Sequence, residues 1–536
     1  MLSLKIDDNI IEYSRVGIRS NIKFEFRHQL EIAENQAIEY SNPSRYLNVW
    51  LAGLHDSSGW PYKETNRMLS LLGPHSDRFP ALGRREMLRV GGLTMGGLGL
   101  PALLSRPVTA GTSAGEKKFG PGFGRAKNCI ILYLSGANPQ HDMFDPKPET
   151  PAEIRGEFNT IATSVPSVRF GEHNPLAAKL MDRMALIRSM HHEHNDHGRG
   201  SYWMFTGYKY PGSVPDVNSM SRQDMPHMGS CLAKLAPGNG PMFPFVIVPH
   251  RMDVAGGRRA GQFAGMLGGR FDPMLTGGNP NDDDFRLKHL PLAPSVNPKI
   301  LRRRVGLLEQ LNRQTESLSS GTLAQSIKQN QAKALEVVGS EEVRRAVDLA
   351  AADHSERERY GRNLFGQSVM LGRRLLDAGT RLVQCNWQRT QGKNGFAWDT
   401  HWNNFTALRD DLIPPFDRAF YALMTDLEKT GQIDETLVVV AAEFGRSPKV
   451  TLSNAGREHW PDVYTVAMAG AGIKGGQVYG SSDRNGAYPQ DNPVGPADFV
   501  ATIYHFLGID PHTESHDQQN RPFTLSKGKP FPLEVV

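Results

Sequence analysis

Cysteine is scarce: three residues in 536, Cys129, Cys231 and Cys385, odd in number and far apart. That excludes a disulfide framework and a CxxC-type metal site, and Cys129 and Cys385 fall inside apolar runs as core residues would. Long apolar runs are also missing. No segment is both long and hydrophobic enough to make a good membrane span. A net charge of +5 is small for this length, and no Lys/Arg run stands out, so the chain carries no nucleic-acid footprint. No repeat period is apparent, which argues against a solenoid or a propeller.

What is present begins with an export signal. "GRREMLRVGGLTMGGLGLPALLSRPVTAG" (83–111) pairs Arg84 with Arg85 before a Gly/Leu-rich stretch and a small-residue end. This predicts a twin-arginine signal at 84–110, with 111–127 as a linker, and a mature chain that is periplasmic or extracellular with no stable membrane span. Residues 1–83 precede the signal, which is the pattern of a start codon placed too early.

Six short apolar runs follow: "NCIILYLSG" (128–136), "MALIRSM" (184–190), "FPFVIVP" (243–249), "TRLVQCNW" (380–387), "TLVVVAAE" (436–443) and "VYTVAMAG" (463–470). Runs that are apolar on both faces suit a parallel sheet covered by helices. Helical stretches separate them. In 412–431, Phe416, Phe420, Leu423 and Leu427 recur at helical spacing and Gly431 ends the run. The segment 296–378 reads as a mostly helical insertion. The expectation is a doubly wound, mostly parallel α/β sheet between helices over 128–510, with 511–536 as a C-terminal tail.

In such sheets ligands bind beyond the carboxyl ends of the strands, and polar clusters sit near those places. One holds His141, Asp142 and Asp145; another is "HHEHNDHGRGSYWMFTG" (191–207), with His191, His192, His194 and His197. Asp399 with His401, Glu443 with Arg446, and Glu458 with His459 and Asp462 complete the set. Carboxylates and imidazoles together suit borderline divalent ions. The alternatives are turn-setting aspartates beside Pro146 and Pro148, and loop histidines held by hydrogen bonds. Glu443 at the end of an apolar strand needs a partner or a cation, while Arg446 fits either as its partner or as a contact for an anionic substrate.

From Arg84 onward the chain resembles the "domain of unknown function 1501" family, exported bacterial proteins regarded as a sulfatase-like branch of the alkaline phosphatase superfamily. "LSGANPQHDMFDPKPETPAEIRGEF", "NDHGRGSYWMFTG", "WDTHWNNF", "DETLVVVAAEFGRSP", "AGREHWPDVYTVAMAGAGIKGGQVYGSSD" and "GPADFVATIYHFLGID" carry the likeness. The resemblance implies an α/β sandwich with a two-metal site that hydrolyses phosphate or sulfate esters. Asp399, His401 and His459 resemble its first ligand trio, although the first pair stands two positions apart rather than four. At the second metal's Asp-His pair this chain has Glu443-Phe444, which keeps only the carboxylate. Ser135-Gly136 stand where a first-strand aspartate is expected, and Asp142 is a substitute further along that loop.

In that superfamily the nucleophile lies ten residues before a helix-ending Thr-Gly, and ten before Gly207 is His197. The resemblance therefore makes His197 a nucleophile, a ligand or a substrate-polarising donor, with Ser201 as the fallback hydroxyl. The formylglycine signature of sulfatases, Cys/Ser-x-Pro-x-Arg, does not occur in 128–510. The expected activity is hydrolysis of a small anionic ester or a sulfated or phosphorylated glycan, with zinc, calcium or manganese. The alternative is a degenerate member that binds an anionic glycan or a partner protein.

Overall fold

A computed structural model describes residues 3–7, 10–14, 119–212, 217, 219–252, 259–287, 300, 303–307, 310, 322–388 and 397–536. Two units divide at Asp77/Arg78. In the first, Ser3–Asp7 and Ile10–Ser14 pair antiparallel. The expected export signal (84–110) and the linker up to residue 118 lie outside the described residues.

The second unit is built on one eight-stranded sheet: β1 (Asn128–Tyr133), β2 (Met184–Met190), β3 (Phe245–Val248), β4 (Met274–Leu275), β5 (Leu382–Asn386), β6 (Thr436–Ala441), β7 (Tyr464–Ala469) and β8 (Val478–Tyr479), in the order β8-β2-β7-β6-β1-β5-β3-β4. All six apolar runs are strands of this sheet; the two it adds, β4 and β8, are edge strands of two residues with no pattern to read. Neighbours pair parallel except around β7, which runs antiparallel to both β6 and β2. Its apolar run looks like those of the parallel strands because it too is covered on both faces.

Successive side chains of a strand point to opposite faces, and the core divides accordingly. Ile130, Leu132, Val383, Cys385, Val438 and Val440 face one layer, with helices α2 (Leu364–Asp377) and α3 (Ile413–Lys429). Cys129, Ile131, Tyr133, Leu437, Val439 and Ala441 face the other, with α1 (His197–Thr206) and α4 (Pro496–Phe506). Within α3, Phe416, Phe420, Leu423 and Leu427 are all buried. The stretch 296–378 includes helices Thr322–Gly339, Glu341–Val347, His354–Tyr360 and α2, and α2 lies directly against the sheet. Leu525, Phe531 and Leu533, near the C-terminus, are buried on the α4 face. All three cysteines are free and buried. Among the described residues, no helix is long and apolar enough to cross a membrane.

A buried polar chain links the start of the helix Met228–Leu235 to β5. His227 accepts from the Gly229 N–H through Nδ1 and donates from Nε2 to Gln384, which in turn bonds Asn386. Burial pushes the His227 pKa down to about 3. In the unfolded chain the ring takes up its proton near pH 6.5, so between those values the unfolded state binds more protons and acid favours it. Stability should therefore fall as pH drops below about 6.5. A His227→Gln variant, weaker at pH 7, should lose about 2 kcal/mol less than the parent between pH 7 and 4.5 in urea titrations. Parallel losses in the two proteins would contradict this assignment.

Candidate metal centre

Strands β1, β2, β5 and β6 run in one direction, so their carboxyl ends share an edge. The loops that leave them bring Gly136, His197, Asp399 and Glu443 together. His459 arrives differently. It precedes β7 in the chain, and because β7 is reversed its amino end lies at this same edge. A two-residue hairpin, Gly445–Arg446 with His459–Trp460, sets Arg446 opposite His459.

His197 is the first residue of α1. Asp196 caps that helix by accepting from the Arg199 N–H, and Gly207 ends it at φ 75°, a conformation open to glycine. The His197 ring is nearly buried and stacks on Phe444. Its Nδ1 lies 2.6 Å from Glu443 Oε1 and its Nε2 3.2 Å from Asp399 Oδ2. Burial works against the imidazolium, but the Asp399 and Glu443 carboxylates outweigh it and raise the His197 pKa.

Asp399 is the hub. Its Oδ1 lies 3.1 Å from both His401 Nε2 and His459 Nε2, and it also accepts from Arg446. Burial would raise its pKa, yet the His197, His401 and His459 contacts and the Arg446 guanidinium hold it far below the usual carboxylate range. His401 Nε2 and His459 Nε2 are 3.0 Å apart.

All three imidazoles are anchored on the far side of the ring. His197 Nδ1 donates to Glu443, His401 Nδ1 to Glu458 Oε2 at 2.5 Å, and His459 Nδ1 to the Asn195 carbonyl at 2.6 Å. With Nδ1–H committed to an oxygen, an Nε2 faces Asp399 either as the N–H donor that depresses this carboxylate or, once the ring is neutral, as a lone pair. Lone pairs of nitrogen and oxygen converging at 3.0–3.2 Å repel unless a proton or a cation lies between them. Two ligand atoms on a tetrahedral ion at about 2.0–2.1 Å stand about 3.3–3.4 Å apart, close to this spacing. His197, Asp399 and His459 each offer a ligand atom within 4.8 Å of the others. His197 Nε2 and Glu443 Oε2 are both buried with no hydrogen-bond partner. Three carboxylates (Asp399, Glu443, Glu458) and one guanidinium (Arg446) leave two negative charges around neutral imidazoles, which a divalent cation balances. The residues fit a metal.

The remaining expected residues fall elsewhere. Arg446 is fully buried, and its guanidinium is spent on Asp399 and on the carbonyls of Gly136, Ala137, Trp398 and Arg457. It braces the hub and presents nothing to a substrate. Glu443 Oε1 accepts from the Gly136 N–H and from His197, so this carboxylate orients His197. Asp142 does not join the cluster. It forms a buried two-pronged pair with Arg457 and accepts from Asn404, which meets its need for charge compensation within the protein. Ser201 Oγ accepts from the Tyr133 hydroxyl and donates to Met252 Sδ, one turn into the helix and away from Asp399.

Of the other histidines in 191–197, His192 donates from Nε2 to the Glu443 carbonyl, and burial lowers its pKa to about 4. It is a strut beneath the centre. His141 and Asp145 bond Asn485 and Ser482 on the hairpin formed by Ser481–Ser482 and Pro489–Asp491. The Asn195 carbonyl and the Gly136 N–H act through backbone, so neither contact could be read from a side chain.

Gly136 has φ +109°, and a Cβ there would come within 2.4 Å of the Asp399 nitrogen and 2.6 Å of the Trp398 nitrogen. Ala137 beside it also has positive φ, 77°, and both carbonyls hold Arg446. Gly136→Ala should destabilise the fold by about 1–3 kcal/mol from backbone strain and displace Asp399, lowering both melting temperature and metal affinity. A melting curve that superimposes on the parent's would refute this.

A family model described as "Protein of unknown function (DUF1501)" matches residues 126–534. No curated protein matches the chain. Among solved structures, the chain is similar to the PsFucS1 sulfatase from Pseudoalteromonas sp., at 14% identity over 74% of this chain and 69% of that one, with a TM-score of 0.35. It is similar to Ps i-CgsB at 11% identity over 75% of each chain, TM-score 0.37. The third is the phosphonate monoester hydrolase SpPMH from Silicibacter pomeroyi, at 13% identity over 72% of this chain and 74% of that one, TM-score 0.31.

Proposed function

We propose that this chain, which belongs to the DUF1501 family, is an exported metal-dependent hydrolase of phosphate or sulfate esters. The observation that supports this best is the convergence of three Nδ1-anchored imidazoles on Asp399. His197, Asp399 and His459 would hold the ion, with His401 beside them. A divalent cation there supplies Lewis-acid polarisation of an ester oxygen and activation of water. The chain's own residues set the stage for it. Arg446 fixes the Asp399 carboxylate, and Glu443, by accepting from Nδ1–H, fixes the tautomer of His197 and leaves its Nε2 for the ion. Export rests on Arg84-Arg85 and the Gly/Leu run after them.

One observation favours binding without turnover: Ser201, the fallback hydroxyl, is engaged with Tyr133 and Met252. On that reading the centre captures an anionic glycan or a partner protein. The experiment that separates the two is hydrolysis of aryl phosphate and aryl sulfate esters by protein loaded with zinc, calcium or manganese. Saturable turnover that a chelator abolishes supports the enzyme. Metal-loaded protein inert to every ester in the panel would leave the binding reading in its place.

A further inference from the structure

Glu458 lies next to His459 in sequence, yet its side chain serves the other histidine, His401. Its backbone is clamped on both sides: the Glu458 N–H donates to Ser447 Oγ at 2.9 Å, and its carbonyl accepts from the Ser447 N–H at 2.8 Å. Ser447 Oγ is itself held by donating to the Lys449 carbonyl. The carboxylate therefore starts from a fixed base, and its Oε2 meets His401 Nδ1 at 2.5 Å. One dipeptide thus supplies a donor atom through His459 and aims another through Glu458.

We infer that Glu458 is a positioning residue that fixes the tautomer and direction of His401 and so sets the affinity of the centre for its metal. This rests on the metal reading above. The other two anchors, Glu443 and the Asn195 carbonyl, are respectively fully buried and part of the backbone. Glu458 is more than half exposed, so its removal opens no cavity. Without it, the Nδ1 of a quarter-exposed His401 ring would turn to water. The ring would then be free to flip or to carry its proton on Nε2, where a proton blocks coordination. Outer-sphere carboxylates of this kind are typically worth about 10–100-fold in metal affinity.

The test uses the full-length protein stripped of metal, with cobalt(II) alone as the probe. Affinity is read by competition with a chromophoric chelator and ligand geometry by the visible cobalt bands. E458A should weaken cobalt binding about 10–100-fold and alter the bands, while the melting temperature of the metal-free protein stays at the parent's. E458Q, whose amide oxygen can still accept from Nδ1–H, should recover most of that loss. Cobalt affinity of E458A within twofold of the parent's would overturn the inference while leaving the metal centre standing. So would a loss of metal-free stability in E458A that E458Q does not repair, since that is the mark of a purely structural contact. If the parent itself takes up no cobalt, the metal reading fails and this inference fails with it.

Discussion

Asp399→Asn should cost at least about 100-fold in divalent-metal affinity, the upper end of what even an outer-sphere partner contributes, and ester hydrolysis should go with it. The substitution is nearly isosteric, so what it changes is charge and donor direction. Asp399 is the group on which His197, His401, His459 and Arg446 all converge. An amide in its place removes one of the two net negative charges that favour a cation and aims N–H groups at imidazole lone pairs. It also leaves the buried Arg446 guanidinium with carbonyl acceptors only. The stability effect has a definite pH signature. The folded-state pKa of Asp399 is depressed, so its contribution is present above the unfolded carboxylate value of about 4 and is lost as pH falls through the folded value. The parent should exceed the variant in stability at pH 7, and the gap should narrow in acid. Metal titration and urea melts at two pH values check both halves. Parent-like metal affinity in the variant would remove Asp399 from the centre.

His197→Ala should lower turnover by at least about 100-fold, the scale of a positioned acid–base or nucleophilic group, with the fold intact. The ring is held by Glu443 on one side and faces Asp399 on the other, at the first residue of α1 where backbone N–H groups favour an anion. Truncation also leaves Glu443 buried without its imidazole partner, so a melting curve belongs in the experiment. Loss of activity with metal retained would make His197 the reacting group. Loss of metal together with activity would make it a ligand, as its place within 4.8 Å of the Asp399 and His459 donor atoms suggests. His191→Ala should leave turnover close to the parent's. Full activity in His197→Ala would take the imidazole out of the mechanism altogether.

The sheet was legible because its strands are covered on both faces: 128–133, 184–190 and 436–441 are continuous apolar runs that periodicity alone detects. The reversal of β7 was not, because direction depends on the path of the connection and leaves no mark in a doubly covered strand. The polar loops could be assigned to one edge from the strands they leave, and the structure brings His197, Asp399, His401, His459 and Glu443 together there. Long-range pairing was what residue types could not show. Asp142 meets Arg457 across 315 positions, and nothing local distinguishes a carboxylate that will find a guanidinium from one that will find a cation. Arg446 was read as a partner for Glu443 or a substrate contact, but the strained turn at Gly136 and Ala137 offers it two carbonyls, and Asp399 a charge. Ser201 lies one turn past the register position at His197 and was the fallback hydroxyl, but Tyr133 on the neighbouring strand engages it.

The most direct test of the account is metal content. Protein exported and purified without chelators, then measured by elemental analysis beside an Asp399→Asn/His459→Ala double variant, should carry about one divalent ion per chain, and the variant close to none. Folded parent protein that holds no more metal than the double variant, before or after incubation with zinc, calcium or manganese, would contradict it. The converging imidazoles would then be held by protons alone.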